Sequence, residues 1–321
     1  MELVGKKFLV TGGAGFIGSH LVDSLLLEDV GEIVVFDNFI RGGLYNLKEA
    51  LKDNRVKIFE VKGDITRENE INHALKGVDG VFHTASLCLT HCQDFPGSGF
   101  DVNIRGTFNV ADACVKNSVK RMVFSSSSSV YGNALYSPID EGHPFDNKNF
   151  YGASKIAGEA ICRAFFNKYN LPYISLRYMN VYGPRQDYLG IYVAVIIKVI
   201  DRLQQNLSPV IIGDGTQAFD FVYVKDVCKA NISAMKSDIT DQAYNISTGK
   251  QTTITDLTKK IIKLMGKDID ITYKDVNDHT LVTNRIGSID KAKNDLNFIA
   301  MTDIEKGLRE TIEWKLSEIS I

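Results

Sequence analysis

The sequence predicts an α/β fold: a doubly wound parallel sheet with helices on both faces and a smaller, interleaved α/β unit toward the C-terminus. Three observations carry this prediction. Strand-like apolar runs alternate with helix-like segments through the first half, which implies parallel strands joined by right-handed crossovers. A glycine-rich turn over residues 11–18 joins the first strand to the first helix, and the second strand ends on a carboxylate, Asp37.

The elements follow in order. Lys7-Phe8-Leu9-Val10 is an apolar strand entering Thr11-Gly12-Gly13-Ala14-Gly15-Phe16-Ile17-Gly18, and Ser19 to Leu26 continues with helical periodicity. A chain that reverses this sharply presents the free N–H groups of a new helix to a phosphate. A side chain at Gly12 would obstruct the turn, one at Gly15 would hold phosphates away, and one at Gly18 would lift the helix off the sheet. Glu32 to Phe36 is the second strand. It delivers Asp37 about 20 residues past the turn, where a carboxylate accepts both ribose hydroxyls of an adenosine. The same charge repels a 2′-phosphate, so NAD is expected over NADP, a preference tempered by Asn38 and Arg41. Further alternating segments lie at 44–52, 56–60, 68–75, 79–84, 99–117, 120–125 and 151–169.

After Pro172 the pattern loosens. Strands are expected at Tyr173–Tyr178, Val210–Ile212 and Phe219–Val224. An amphipathic helix is expected over Val193–Gln204, and others over Thr255–Met265, capped by Thr253 or Thr255, and Asp303–Leu316, capped by Thr302. The predicted organisation is a dinucleotide-binding domain over 1–185, rejoined by 219–237, and a substrate-binding domain over 186–218 and 238–321.

Composition narrows the function classes. The 321 residues carry a net charge of −2, which gives no reason to expect nucleic acid or an anionic membrane surface as partner. No apolar run approaches the roughly 18 residues of a membrane helix. The five scattered cysteines fit free thiols in a reducing compartment, and the N-terminus enters a strand at once, so a cytoplasmic location is expected. Cys88, His91 and Cys92 lie close in sequence, but without a second ligand cluster they read as cleft packing, not a metal site.

Two segments carry the chemistry. Ser125 to Ser129 leaves a strand toward Val130-Tyr131-Gly132, and Tyr151-Gly152-Ala153-Ser154-Lys155 opens a helix, with Tyr151 and Lys155 one turn apart on one face. A phenol titrates near pH 10, so acting as a base near pH 7 requires about 4 kcal/mol of extra phenolate stabilisation. A neighbouring ammonium and a positive nicotinamide ring both favour the phenolate. Tyr151 is therefore expected to take the proton of an alcohol as hydride leaves for the nicotinamide. Lys155 would hold the nicotinamide ribose, and a hydroxyl of the serine run would hold the reacting alcohol.

With these residues in view, nearly the whole chain resembles the extended short-chain dehydrogenases/reductases, and within them the NAD-dependent nucleotide-sugar epimerase/dehydratase group, with UDP-sugar 4-epimerases as the nearest likeness. The matching segments include Thr11 to Gly18, Gly63-Asp64-Ile65, His83-Thr84-Ala85-Ser86, Asn103 with Gly106-Thr107, Ser127 to Gly132, Tyr151 with Lys155, and Leu176 to Gln186. The resemblance implies a Rossmann domain, bound NAD, a nucleotide-diphospho-sugar substrate and a homodimer. It implies catalytic roles for Ser127, Tyr151 and Lys155. Cofactor contacts would come from Gly12, Gly15, Phe16, Ile17, Asp37, Asn38, Asp64, Ile65, Thr84, Ala85, Ser125, Tyr151, Lys155 and Tyr178. Substrate contacts would come from Ser127, Ser128, Asn180, Arg185 and Arg285, while Asn103 would support the active-site helix. The dimer would form through the helices at about 99–117 and 151–169, where Phe108, Val110, Ala111, Ala113, Ile156, Ala160, Ile161 and Ala164 fit a dimer face or core packing equally.

Similar 4,6-dehydratases carry an Asp-Glu pair immediately after the catalytic threonine. Here those places hold Ser128 and Ser129, and a neutral hydroxyl is a poor acid or base for eliminating water. A 4-epimerase is expected; the alternative is a nucleotide-sugar 4-dehydrogenase or reductase, with a dehydratase or a non-catalytic NAD-binding protein behind it. One departure stands out. The diphosphate-binding arginine two residues after the Gln of the Gly-Asp-Gly-x-Gln segment is replaced by Phe219, and a second, around Asn277 or Asp278, is missing. Charge-assisted hydrogen bonds are worth roughly 1.5–3 kcal/mol each, so Arg285 or Arg185 is expected to substitute.

Overall fold

The computed structural model describes residues 1–60, 62–187, 194–275 and 284–318. Along the chain run β1 (Lys7–Thr11), α1 (Phe16–Leu26), β2 (Glu32–Phe36), β3 (Val56–Ile58), α2 (Glu68–Ala74), β4 (Gly80–His83), α3 (Leu89–Asp94) and α4 (Pro96–Gly99). Next come α5 (Gly106–Lys116), β5 (Arg121–Ser127), α6 (Phe150–Tyr169), β6 (Tyr173–Tyr178), β7 (Asn180–Tyr182), α7 (Val195–Gln204), β8 (Val210–Ile212), β9 (Ala218–Phe219) and β10 (Phe221–Tyr223). The chain continues through α8 (Val224–Lys236), β11 (Gln242–Ile246), β12 (Thr252–Thr253), α9 (Ile254–Leu264), β13 (Thr272–Lys274), β14 (Asn284–Arg285), α10 (Asp290–Leu296) and α11 (Ile304–Glu318).

The main sheet has seven parallel strands in the order β11-β6-β5-β4-β1-β2-β3. The order reverses beside β1, where a doubly wound sheet gathers its ligands at the carboxyl ends of the strands. Buried on both faces, the central strands are nearly all apolar, as Phe8, Leu9, Val10, Val81 and Phe82 show. The sheet is thus the expected Rossmann architecture.

Several boundaries differ from expectation. β11 lies within 238–321, expected in the second unit, yet pairs with β6 as the edge of the main sheet. Tyr244 is fully buried there, and the Asn245 side chain accepts from the Tyr131 hydroxyl. The expected strand Phe219–Val224 splits into β9 and β10 at Asp220, whose buried carboxylate accepts from Thr248 and Gly249. β9 then pairs with β12 and β14, and β10 with β7. Segment 44–52 forms two short 3₁₀ turns, because Asn46 and Gly43 are tied to the Ala14 carbonyl. The 99–117 helix opens with a π-helical stretch, Phe100–Arg105, before α5. Thr253 caps α9 by accepting from the Asp256 amide. Val193, expected to begin α7, lies outside the described residues, as do Asn277 and Asp278.

A second apolar cluster joins β7 and β10 to α7, α9 and α11 through Tyr182, Ile196, Ile200, Leu257 and Leu308. This packing sets the smaller unit against the carboxyl ends of the main sheet. No described helix is long and apolar enough to cross a membrane, and no group of three or more His, Cys, Asp or Glu side chains among the described residues could hold a metal ion. All five cysteines are free thiols.

Candidate active site

A cleft of ≈ 570 Å³ runs along the carboxyl ends of the strands. Its floor is the turn between β1 and α1. Gly12 has φ +67, and a Cβ there would lie 2.9 Å from the Ala85 backbone; one on Gly18 would lie 2.1 Å from the Gly12 carbonyl. Gly15 is the N-cap of α1, with no side chain over the helix end, so the free first-turn amides at Phe16 and Ile17 open toward a phosphate. At the next strand end, the Asp37 carboxylate is oriented by the amides of Ala14 (2.9 Å) and Phe39 (2.8 Å). Each oxygen keeps a lone pair for a ribose hydroxyl. Asp64, Ile65, Thr84 and Ala85 line the cleft, with the Thr84 hydroxyl bonded to the Thr11 carbonyl at 2.6 Å. This cradle fits a dinucleotide.

The chemical end lies between β5 and α6. Asn149 caps α6 by accepting from the Gly152 amide at 2.7 Å, which fixes Tyr151 in the first turn. Gly152 and Gly158 let the helix lie close: a Cβ on Gly158 would stand 2.4 Å from the Phe124 ring. Tyr151 and Lys155 reach the cleft together with Ser125 and Tyr178. Lys155 donates to the Ser125 carbonyl at 2.8 Å, and its ammonium sits 5.6 Å from the centre of the Tyr151 ring. The Ser127 hydroxyl lies beside the Tyr151 phenol and favours its ionised form. The Ser125 and Tyr178 hydroxyls are 3.0 Å apart, and Tyr178 is bonded in turn to Asn231.

The electrostatics differ from the expectation. Burial pushes the Tyr151 phenol up to about 12, and the Ser127 hydroxyl only partly opposes it. Burial draws Lys155 down to about 8. The protein alone therefore favours a neutral phenol, because burial disfavours the phenolate. Further positive charge beside Tyr151 is needed for the phenolate, and a bound nicotinamide ring carries it.

Supporting contacts emerge that the sequence did not reveal. His83 links Thr11 (2.7 Å) to Thr107 (3.0 Å), and burial holds it neutral, down to about 3. Asn103, anticipated as a support, binds Leu87 through its carbonyl oxygen at 2.8 Å and donates to Ser154 on α6 at 3.0 Å. Arg41 and Asp187 form an ion pair at the rim of the cleft. Such long-range pairings have no signature in local periodicity.

The substrate residues fall into two groups. Arg185 lines the cleft, but its guanidinium pairs with Asp23 of α1 at 2.7 Å. Ser127, Ser128, Asn180 and Arg285 lie beside the cleft rather than on its wall. The side-chain nitrogen of Asn180 is buried with no partner among the described residues. Arg285, on β14 opposite Phe219 of β9, reaches across to the Ser128 hydroxyl (3.3 Å) and the Gly132 carbonyl (3.2 Å). Burial without a counter-charge draws its guanidinium down to about 10.

The chain matches the family described as the NAD dependent epimerase/dehydratase family over residues 8–247. A putative UDP-glucose 4-epimerase of Methanocaldococcus jannaschii is 35% identical over 310 residues, covering 95% of this chain and 97% of that protein. The structure of a UDP-N-acetylglucosamine 4-epimerase from Methanobrevibacter ruminantium, in complex with UDP-N-acetylmuramic acid, superposes with a TM-score of 0.92 at 36% identity, covering 98% of this chain and 99% of that one. A dTDP-glucose 4,6-dehydratase of an Actinoplanes species is 31% identical, covering 96% of this chain and 97% of its own.

Proposed function

The chain belongs to the NAD dependent epimerase/dehydratase family, and on that footing we propose that it is a nucleotide-sugar 4-epimerase acting on a UDP-hexose-like substrate. It is an enzyme with NAD as its cofactor. The observation that carries the choice of reaction is the pair of buried hydroxyls, Ser128 and Ser129, next in the chain to Ser127, which lies beside the Tyr151 phenol. A dehydratase needs an acid and a base there, and neither serine can serve. Epimerisation needs only one proton taken and returned at one oxygen.

The residues divide that task. Ser127 holds the 4-hydroxyl and aligns its proton with Tyr151. Tyr151 takes the proton as the carbonyl forms and gives it back when the other face is reduced. Lys155, anchored on the Ser125 carbonyl, keeps a positive charge beside the phenol and within reach of a ribose. Asp37 fixes the adenosine end and α1 the pyrophosphate. NAD, when bound, supplies the redox half by accepting a hydride from the sugar carbon and returning it. A homodimer is part of the same proposal: Phe108 on α5 is 49% exposed although its ring meets Phe165 of α6 edge-on, and Ala160 and Ala164 of α6 are exposed.

The test is incubation with UDP-glucose, UDP-galactose and UDP-glucuronate, with products identified by NMR and absorbance followed at 340 nm. Interconversion of 4-epimers without net absorbance change supports the proposal; stoichiometric NADH formation replaces it with a dehydrogenase.

A further inference from the structure

Arg285 is the one group of the substrate side whose charge the described protein leaves unanswered. It is 8% exposed. Its Nη1 and Nη2 make the two long hydrogen bonds to Ser128 and Gly132, and among the described residues its Nε has no partner and no carboxylate lies beside it. A guanidinium has five N–H donors, and burying one without an anion is among the most unfavourable arrangements in a protein. We propose that Arg285 selects a substrate whose sugar carries a carboxylate, as a uronic acid does at C6.

The position decides which anion Arg285 meets. The missing diphosphate arginines made the diphosphate its expected target, and β14 does bring it next to Phe219, the place of one of them. Its guanidinium nevertheless points elsewhere. It bonds Ser128, the residue after Ser127, whose hydroxyl meets the Tyr151 phenol. That end of the site must receive C4 of the sugar. On a pyranose ring C1, which bears the diphosphate, stands opposite C4, whereas C6 branches from the carbon next to C4. A charge beside Ser127 therefore faces C6 more readily than the phosphates. The identity of residue 128 completes the logic: an aspartate there would neutralise Arg285 internally, and serine leaves the charge for a ligand. This assignment rests on the 4-epimerase reading for the placement of C4.

The test uses the full-length, NAD-loaded enzyme with UDP-glucuronate, UDP-glucose and UDP as probes, and compares wild type with Arg285→Met and Ser128→Asp by calorimetry and thermal melting. Wild type should bind UDP-glucuronate about 10- to 100-fold more tightly than UDP-glucose, and both variants should reduce that ratio to about 2 or less. Both should also melt at or above the wild-type temperature, since Arg285→Met removes the buried unpaired charge and Ser128→Asp gives it a partner. UDP itself should bind all three proteins alike. No wild-type preference for the uronate overturns the proposal. Loss of UDP affinity in Arg285→Met, equal to the loss for both sugars, moves the residue to the diphosphate and also overturns it. Variants that melt well below wild type would make the guanidinium a structural group instead. A persistent uronate preference without any 4-epimer product sinks the epimerase reading alone.

Discussion

Residue 151 holds the phenol on which the chemistry turns. General acid–base groups contribute roughly 10²- to 10⁴-fold, so Tyr151→Phe should lower kcat by that factor while NAD still binds; an activity loss of less than tenfold in steady-state assays would remove Tyr151 from the role of base. Lys155 offers a cleaner electrostatic check. Its folded value of about 8 lies below the ordinary 10.5, so at pH 7 its charge is buried at a cost of about 3 kcal/mol. Between about pH 8 and 10.5 the unfolded chain binds the proton that the folded chain has released, and stability rises with pH. Lys155→Met, freed of NAD, should accordingly melt higher than wild type at pH 7, and the gap should shrink toward pH 10. A gap independent of pH would mean that the lysine is not desolvated. The charge and its partners were not legible in the sequence: the Tyr-x-x-x-Lys spacing placed both groups on one face, but the Ser125 carbonyl that anchors Lys155 comes from a different element.

Among the elements, α6 converts sheet packing into site geometry. Gly158 rests against Phe124 of β5, and the capped first turn carries Tyr151. Gly158→Ala would force the helix outward; overpacking of this kind costs typically 1–3 kcal/mol. We expect a lower melting temperature together with a fall in kcat, measured on the same preparation, because Tyr151 and Lys155 move with the helix. Unchanged kcat beside a lowered melting temperature would show that α6 does not position the base. Elements of this kind were readable beforehand. β1, β4 and the first half of β5 carry the buried apolar runs Phe8–Val10, Val81–Phe82 and Met122–Phe124, and α1 follows an unmistakable strand-to-helix turn. The misreadings share a different cause. Asp220 breaks an apolar run because its carboxylate satisfies the Thr248–Gly249 backbone, and β11 joins the main sheet through tertiary contacts of Tyr244 and Asn245 that no local pattern contains. The substrate side was legible only as a gap: the sequence showed that the diphosphate arginines were missing, while the direction in which Arg285 points required the β12–β9–β14 sheet.

For the whole molecule, one cleft serves two units. The main sheet presents the dinucleotide cradle, the smaller unit packs over the carboxyl ends of the strands, and the Arg41–Asp187 pair joins the two rims of the cleft. A ligand that binds only the folded state stabilises it by about 2.7 kcal/mol at 100 times its Kd. NAD should therefore raise the melting temperature, and NADP should do so far less because Asp37 repels a 2′-phosphate; equal shifts would contradict the assignment of Asp37. The central claim is that a hydride leaves C4 of a sugar and a proton leaves its 4-hydroxyl, and that both return. It is tested most directly by NMR of the product formed from a UDP-sugar deuterated at C4, with UDP-glucose and UDP-glucuronate as the two substrates. The account predicts a 4-epimer that retains deuterium at C4, with no net change at 340 nm. Deuterium lost to water, or a product oxidised at C4, would contradict it.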